Sequence, residues 1–306
     1  MSRRQGSIRL FRFAGIDVFL HWTWFLVAAI EISSRARSYS SPAWNVLEYL
    51  ALFLIVTLHE YGHALACRQV GGTANQILLW PLGGIAYVSP PPRPGATLWS
   101  MAAGPLVNLA LLVIVSPLGI KLDRSLGWAK SVPDAHAFLR ALVFINLGLL
   151  IFNLLPIFPL DGGQILRSLL WFAVGRARSL MAAVVIGFVG VAGLFLLAGW
   201  MRSAWLGLLS VFILMSCWRG LRHAQVLSRL AKLPRHKGFA CPSCKAAPPV
   251  GRHWRCSHCG EVFDAFQTRG LCPTCAAQHS LSMCLDCVAQ NPLREWIIAA
   301  PADVKG

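Results

Sequence analysis

The chain has 306 residues, 56% of them hydrophobic and only 13% charged, about half the charged share of an ordinary soluble domain. A mean hydropathy of +0.58 excludes a typical soluble enzyme and points to an integral membrane protein. Lys and Arg number 28 against 12 Asp and Glu; in a membrane protein such an excess reads first as basic loops held on the cytoplasmic side, and nucleic acid is the less favoured partner.

Residues 1–15 form a basic N-terminal segment carrying Arg3, Arg4, Arg9 and Arg12. Six apolar spans are expected beyond it, at about 16–32, 46–70, 97–120, 136–158, 180–200 and 204–221. The first is followed by further spans and reads as an anchor rather than a cleaved leader. Residues 71–96 are punctuated by Gly71, Gly72, Pro81, Gly83, Gly84 and Pro90 to Pro92. Between these, Gln76 to Trp80 is too short to span and suits extended, re-entrant structure. Residues 164–178 read as a short interfacial helix or a plain connection. A basic linker, 222–237, leads to a cysteine-rich domain, 238–290, and a tail, 291–306. The expected fold is an all-α polytopic membrane protein of about six transmembrane helices, 16–221, with a short extended re-entrant segment and a small cytoplasmic zinc-ribbon domain. With the N-terminus inside, the inner segments hold fifteen basic residues and the outer ones seven, which places both termini in the cytoplasm.

The second span contains His59-Glu60-Tyr61-Gly62-His63. On a helix two histidines four residues apart share a face and can hold one divalent metal, and the glutamate between them can act as general base. The five-residue pattern is weak alone. Its setting strengthens it, because a charge at the bilayer centre costs roughly 2.5–3.5 kcal/mol on insertion scales and marks a functional site. A third ligand is needed. Asp161 follows a span running in the same direction as the second and precedes Gly162-Gly163, a turn able to swing its carboxylate back toward the metal. Capping a helix that starts near Gln164 is the alternative role.

Together with Asn153-Leu154-Leu155-Pro156-Ile157-Phe158-Pro159-Leu160-Asp161-Gly162, this motif resembles the site-2 protease family of intramembrane zinc metalloproteases, which pairs H-E-x-x-H with N-x-x-P-x-x-x-L-D-G. The resemblance extends to Gly104-Pro105-Leu106-Val107-Asn108 and to Pro81-Leu82-Gly83-Gly84, over roughly 12–220. It implies that His59, His63 and Asp161 hold a catalytic zinc, that Glu60 is the general base, and that the substrate is a membrane-anchored protein cut near the cytoplasmic face. The Gly-rich stretch 77–88 supplies a strand edge for an unwound substrate, or only a tight turn. Asn153 is expected in the catalytic site. Asn108 either serves the site or bridges helices. Cys67 is expected to pack against neighbours, and His21 to bridge helices or sit at the interface.

After residue 240 the chain carries Cys241-x-x-Cys244, Cys256-x-x-Cys259, Cys272-x-x-Cys275 and Cys284-x-x-Cys287. Eight thiolates make two tetrahedral structural zinc sites in a reducing compartment. The expected pairing is sequential: Cys241, Cys244, Cys256 and Cys259 on one zinc, Cys272, Cys275, Cys284 and Cys287 on the other. Crossed pairing and redox-active disulfides are the alternatives. Trp254, Phe263 and Phe266 are placed between the sites; exposed aromatics with Arg252, Arg255 and Arg269 suit either a protein or nucleic acid, and a protein-interaction or regulatory module is the better fit to a membrane protease. The expected inventory is one catalytic and two structural zinc ions, a membrane-anchored protein substrate, the lipid bilayer of a plasma or inner membrane, and a regulatory protein at the ribbons. The competing reading is a catalytically silent scaffold that recruits a partner through its ribbons.

Overall fold

The computed structural model describes residues 6–34, 39–80, 83–287 and 289–298. The chain divides into two units, 1–175 with 179–220, and 176–178 with 221–306. The first unit begins with β1 (Ser7–Phe13), β2 (Ile16–His21) and α1 (Thr23–Ser34), followed by α2 (Pro42–Gln69), β3 (Thr73–Trp80) and β4 (Gly83–Ser89). Then come α3 (Pro94–Leu126), the single turn α4 (Trp128–Ser131), α5 (Pro133–Leu154), α6 (Asp161–Val174), α7 (Arg176–Trp200) and α8 (Ala204–Lys232).

Among the described residues, α2, the Pro94–Lys121 part of α3, α5, α7 and α8 are long and apolar enough to cross a membrane. The expected first span is not one helix. Its opening residues are β2, and the helix that follows holds twelve residues, a rise of about 18 Å against a hydrocarbon core of about 30 Å. Ile16, Val18 and Leu20 alternate onto a buried face while Asp17 reaches out to Arg9 at 2.8 Å. Apolar composition summed along the chain does not separate such a strand from the helix after it.

The sheet runs β1-β2-β3-β4. Each outer pair is antiparallel, and β2 lies parallel to β3 with Asp17 opposite Gln76 and Leu20 opposite Leu79. The expected extended segment is therefore half of a four-stranded sheet. Ile16, Val18, Leu20, Ile77 and Leu79 pack with Tyr61, Ala64 and Cys67 of α2. Arg68 closes the joint, donating to Ala14 O and Gly15 O at 2.5 and 3.0 Å. The sheet thus sits at the C-terminal half of α2, the half that carries the histidines. Pro81 and Leu82 lie outside the described residues.

Two expected boundaries change. Residues 222–232, expected as linker, continue α8, with Ala224 and Leu227 buried. In the second unit β5 (Trp254–Arg255) pairs with β6 (Val262–Phe263), and β7 (Leu281–Met283) with β8 (Gln290–Pro292), which leads into a 3-10 turn, Leu293–Trp296. Trp296 is 1% exposed and joins Trp254, Phe263 and Phe266 in the ribbon core. Residues 291–298, expected as tail, therefore belong to the domain. Two ion pairs tie the chain entering the ribbon to its body: Arg235 to Asp286 at 2.6 Å and His236 to Asp264 at 2.8 Å. Burial alone would raise the Asp264 pKa, but the Gly251 N–H, the His236 ring and the Gln267 and Phe266 N–H groups together hold it below the ordinary carboxylate range.

The cysteine pairs do not group sequentially. Cys241 and Cys244 meet Cys284 and Cys287, and Cys256 and Cys259 meet Cys272 and Cys275. The reason lies in the chain between them. The turn capped by Asp264 folds the second pair onto the third. β7 and β8 carry the fourth pair back to the first, where the Ala240 N–H donates to Trp296 O at 2.7 Å.

Candidate metal centre

α2 starts at Ser41, whose hydroxyl accepts the Ala43 N–H at 3.3 Å, with Pro42 in the first turn. Seventeen and more residues on, His59, Glu60 and His63 are 5%, 6% and 5% exposed. Two glycines let α3 come close enough to bury them. A Cβ at Gly62 would sit 2.8 Å from Ala103 O, and one at Gly104 would enter both histidine rings.

The two rings are held by their Nδ1 atoms. His63 Nδ1 lies 2.7 Å from Ser100 O and His59 Nδ1 2.5 Å from Asn108 Oδ1. Both oxygens can only accept, so both rings carry their proton on Nδ1. The Nε2 lone pairs then face one another at 3.0 Å.

Asp161 arrives from a different part of the chain. α5 ends at Leu154, residues 155–160 turn back, and Asp161 is the first residue of α6. Leu160 occupies the cap position, so Asp161 is not the N-cap. A Cβ at Gly162 would meet the Leu154 and Leu155 carbonyls, and one at Gly163 the Ile157 and Phe158 backbone. The turn thus requires both glycines. Asp161 Oδ2 lies 3.1 Å from His59 Nε2 and 3.3 Å from His63 Nε2.

That oxygen is buried and finds no aligned hydrogen-bond donor among the described residues. With both rings neutral, three acceptors converge with no proton among them. Such an arrangement repels itself unless a cation lies at its centre. Two imidazoles and a carboxylate are the donor set of a catalytic zinc, with room left for water, so the residues present fit that ion.

Glu60 stands beside the triad. The Ala86 N–H of β4 donates to its Oε2 at 2.8 Å, and a Cβ at Gly84 would enter its carboxylate. The strand therefore pins the glutamate and leaves it space. Asn153 lies half-buried in the last turn of α5 and makes no hydrogen bond or ion pair among the described residues. Asn146, which the motif does not contain, is the amide brought to the site: it bonds Asn108, which bonds His59. Its signal in the sequence was an amide in an apolar span, which must find a partner. Cys67 packs inside the sheet joint, with its sulfur 3.6 Å from Thr73 O. His21 stacks on Trp80 at 4.4 Å and pairs with Thr23.

In the ribbon the paired sulfurs stand 3.6–3.7 Å apart. A disulfide needs about 2.05 Å, whereas a tetrahedron with 2.3 Å zinc–sulfur bonds has an edge of about 3.8 Å. Both clusters have the dimensions of closed zinc sites.

The fold and the triad define a membrane-embedded metal-site protein with an acid poised beside the metal position. Residues 48–125 and 116–197 match the model of Peptidase family M50. A solved structure, the site-2 protease from Methanocaldococcus jannaschii, is similar with a TM-score of 0.51 and 29% identity, over 71% of this chain and 95% of that one. A zinc metalloprotease of the same organism is 35% identical over 181 residues, 59% of this chain and 50% of the relative. Stage IV sporulation protein FB of Bacillus subtilis is 33% identical over 120 residues, 38% of each. The chain thus spans half or less of the length of these two curated relatives. It belongs to the site-2 protease family, Peptidase family M50.

Proposed function

We propose that this protein is an intramembrane zinc metalloendopeptidase that cuts membrane-anchored proteins near the cytoplasmic face. The observation that carries the reading is the convergence of His59 Nε2, His63 Nε2 and Asp161 Oδ2 beside Glu60. His59, His63 and Asp161 would hold a zinc ion, which would supply Lewis acidity toward a peptide carbonyl and a water. Glu60 accepts the proton from that water and returns it to the departing amine. The Ala86 N–H keeps one carboxylate oxygen fixed while it does so. β4 is an edge strand of the sheet. It pairs with a substrate segment that has left its helix, since an extended backbone exposes the carbonyl that an intact helix shields. Asn153, whose amide makes no hydrogen bond among the described residues, donates to the developing oxyanion.

We infer that both termini lie in the cytoplasm. In this reading α2 runs inward, α3 outward, α5 inward, α7 outward and α8 inward, and the N-terminal hairpin, which packs on the C-terminal half of α2, lies toward the inner side. Basic residues concentrate on that side, and thiolate zinc sites suit a reducing compartment.

Glu60→Gln is the test. The variant keeps three zinc ions per chain and loses cleavage of a membrane-anchored reporter. Full cleavage by that variant sinks the mechanism. Two zinc ions in the unmodified protein would favour the silent scaffold.

For the ribbon we propose a regulatory protein partner. A groove of about 730 Å³ is floored by Phe239, Phe266, Leu281 and Leu293 and flanked by Arg269 and Arg294. Neither arginine pairs with a carboxylate among the described residues, whereas Glu261, Asp264 and Asp286 are all engaged. An apolar floor beside two open cations suits an extended peptide with alternating apolar and acidic side chains. In fluorescence anisotropy with the full chain, a labelled Leu/Glu-alternating decapeptide should bind, and R269E/R294E should weaken it by about tenfold, the worth of about 1.4 kcal/mol. Equal binding by the two proteins, or preference for a single-stranded oligonucleotide, would overturn this.

A further inference from the structure

Asn108 and Asn146 are 0% and 3% exposed and lie on α3 and α5. Their hydrogen bonds form a chain with one direction. The Asn146 Nδ2 donates to the backbone oxygen of Asn108 at 2.8 Å. Asn146 Oδ1 accepts from Asn108 Nδ2 at 2.7 Å. Asn108 Oδ1 accepts from His59 Nδ1 at 2.5 Å. A backbone carbonyl cannot donate, so it sets which way Asn146 faces. Asn146 then sets which way Asn108 faces. Asn108 in turn decides which nitrogen of His59 holds the proton.

The two faces of Asn108 have opposite consequences. With its oxygen toward His59, Nδ1 carries the proton and Nε2 offers a lone pair. Turned over, its NH2 would meet Nδ1, the proton would move to Nε2, and the ring could not ligate through that atom. His63 has no such ambiguity, because Ser100 O, itself a backbone oxygen, holds its Nδ1 directly.

We propose that Asn146 is a positioning residue for the metal centre, acting through Asn108 to fix the proton of His59 on Nδ1. The inference rests on the zinc reading of the triad. It takes no part in bond breaking; it holds one ligand in the tautomer that binds.

The test measures zinc retained per chain by the full-length protein in detergent, across a chelator-buffered series of free zinc. The weakest of three equivalents reports the triad. Asn146→Leu, close in shape and without polar atoms, should weaken that equivalent by about tenfold, the low end of what outer partners of metal ligands contribute. Asn146→Asp should stay within about threefold of the parent, since an aspartic acid that keeps its proton in this buried place offers the same donor and acceptor. In an Asn108→Asp background, whose two carboxylate oxygens are equivalent, Asn146→Leu should have little further effect. Should N146L not accumulate, Asn146→Ser, too short to reach both Asn108 groups, carries the same expectation. Parent-like zinc binding by N146L or N146S, an equal loss in N146D, or an undiminished loss in the N108D background each overturns the proposal. A parent protein holding only two zinc ions would instead overturn the zinc reading itself.

Discussion

Gly104 is where α3 passes the two histidines with no space for a side chain. Its role is separable from that of Gly84, which leaves room for Glu60. Gly104→Ala pushes the rings apart and should release the triad's zinc while both ribbon ions remain, with cleavage falling at least 100-fold. Gly84→Ala displaces only Glu60, the proposed base. It should keep all three ions yet lower kcat by about 100-fold, as a misplacement of about 1 Å does. Zinc analysis beside a cleavage assay separates the two. At this scale the sequence was informative where chemistry narrows the choice of residue. H-E-x-x-H and a lone acid before two glycines admit few readings. Amides are different. Asn146 and Asn153 stand seven residues apart on one apolar span, two helical turns, so spacing gives both the same face. Only the position of Asn108 across the helix pair shows which of them is hydrogen-bonded toward His59.

The turn that delivers Asp161 is seated on helices far along the chain. Ile157 lies where a side chain at Gly190 of α7 would go, and Phe158 where one at Gly220 of α8 would go. Phe158 O is also 2.8 Å from the Cys217 sulfur. α7 and α8 supply no ligand, but they hold the carboxylate in reach. Gly220→Val should force Phe158 out, with an overpacking cost of about 1–3 kcal/mol, and weaken the triad's zinc while leaving the ribbons loaded. Unchanged zinc affinity would show that the turn holds Asp161 unaided. Most elements were legible because length and hydropathy decide a spanning helix. β1 and β2 were not. Their side chains alternate, but a strand of six residues running into an apolar helix adds up to the hydropathy of one span. The partner that reveals them, β3, comes more than fifty residues later.

The molecule joins a membrane unit built by burial to a ribbon unit whose two four-cysteine clusters have the dimensions of zinc sites. The ribbon's core, Phe239, Trp254, Phe263, Phe266 and Trp296, is small for a domain of this length, and domains of this size usually need such staples. The sequence pointed to two four-cysteine clusters able to hold zinc but not to how the cysteines divide between them. Pairing depends on which hairpins fold onto which, and that is decided by the Asp264 turn and by the return of Trp296 to Ala240. The nested arrangement makes a numerical prediction. Replacing Cys241, Cys244, Cys284 and Cys287 by serine empties one site and leaves Cys256, Cys259, Cys272 and Cys275 intact. That variant should hold two zinc ions per chain, one in the triad and one in the ribbon. Sequential pairing would leave each ribbon zinc only two thiolates, and the same variant would then hold one. Replacing Cys241, Cys244, Cys256 and Cys259 gives the mirror-image test. Nested pairing strips both ribbon sites of half their ligands, so that variant should keep the triad's ion alone. Metal analysis of the two variants side by side decides the architecture: nested and sequential pairing predict opposite orders of zinc content, and crossed pairing predicts the triad's ion alone in both.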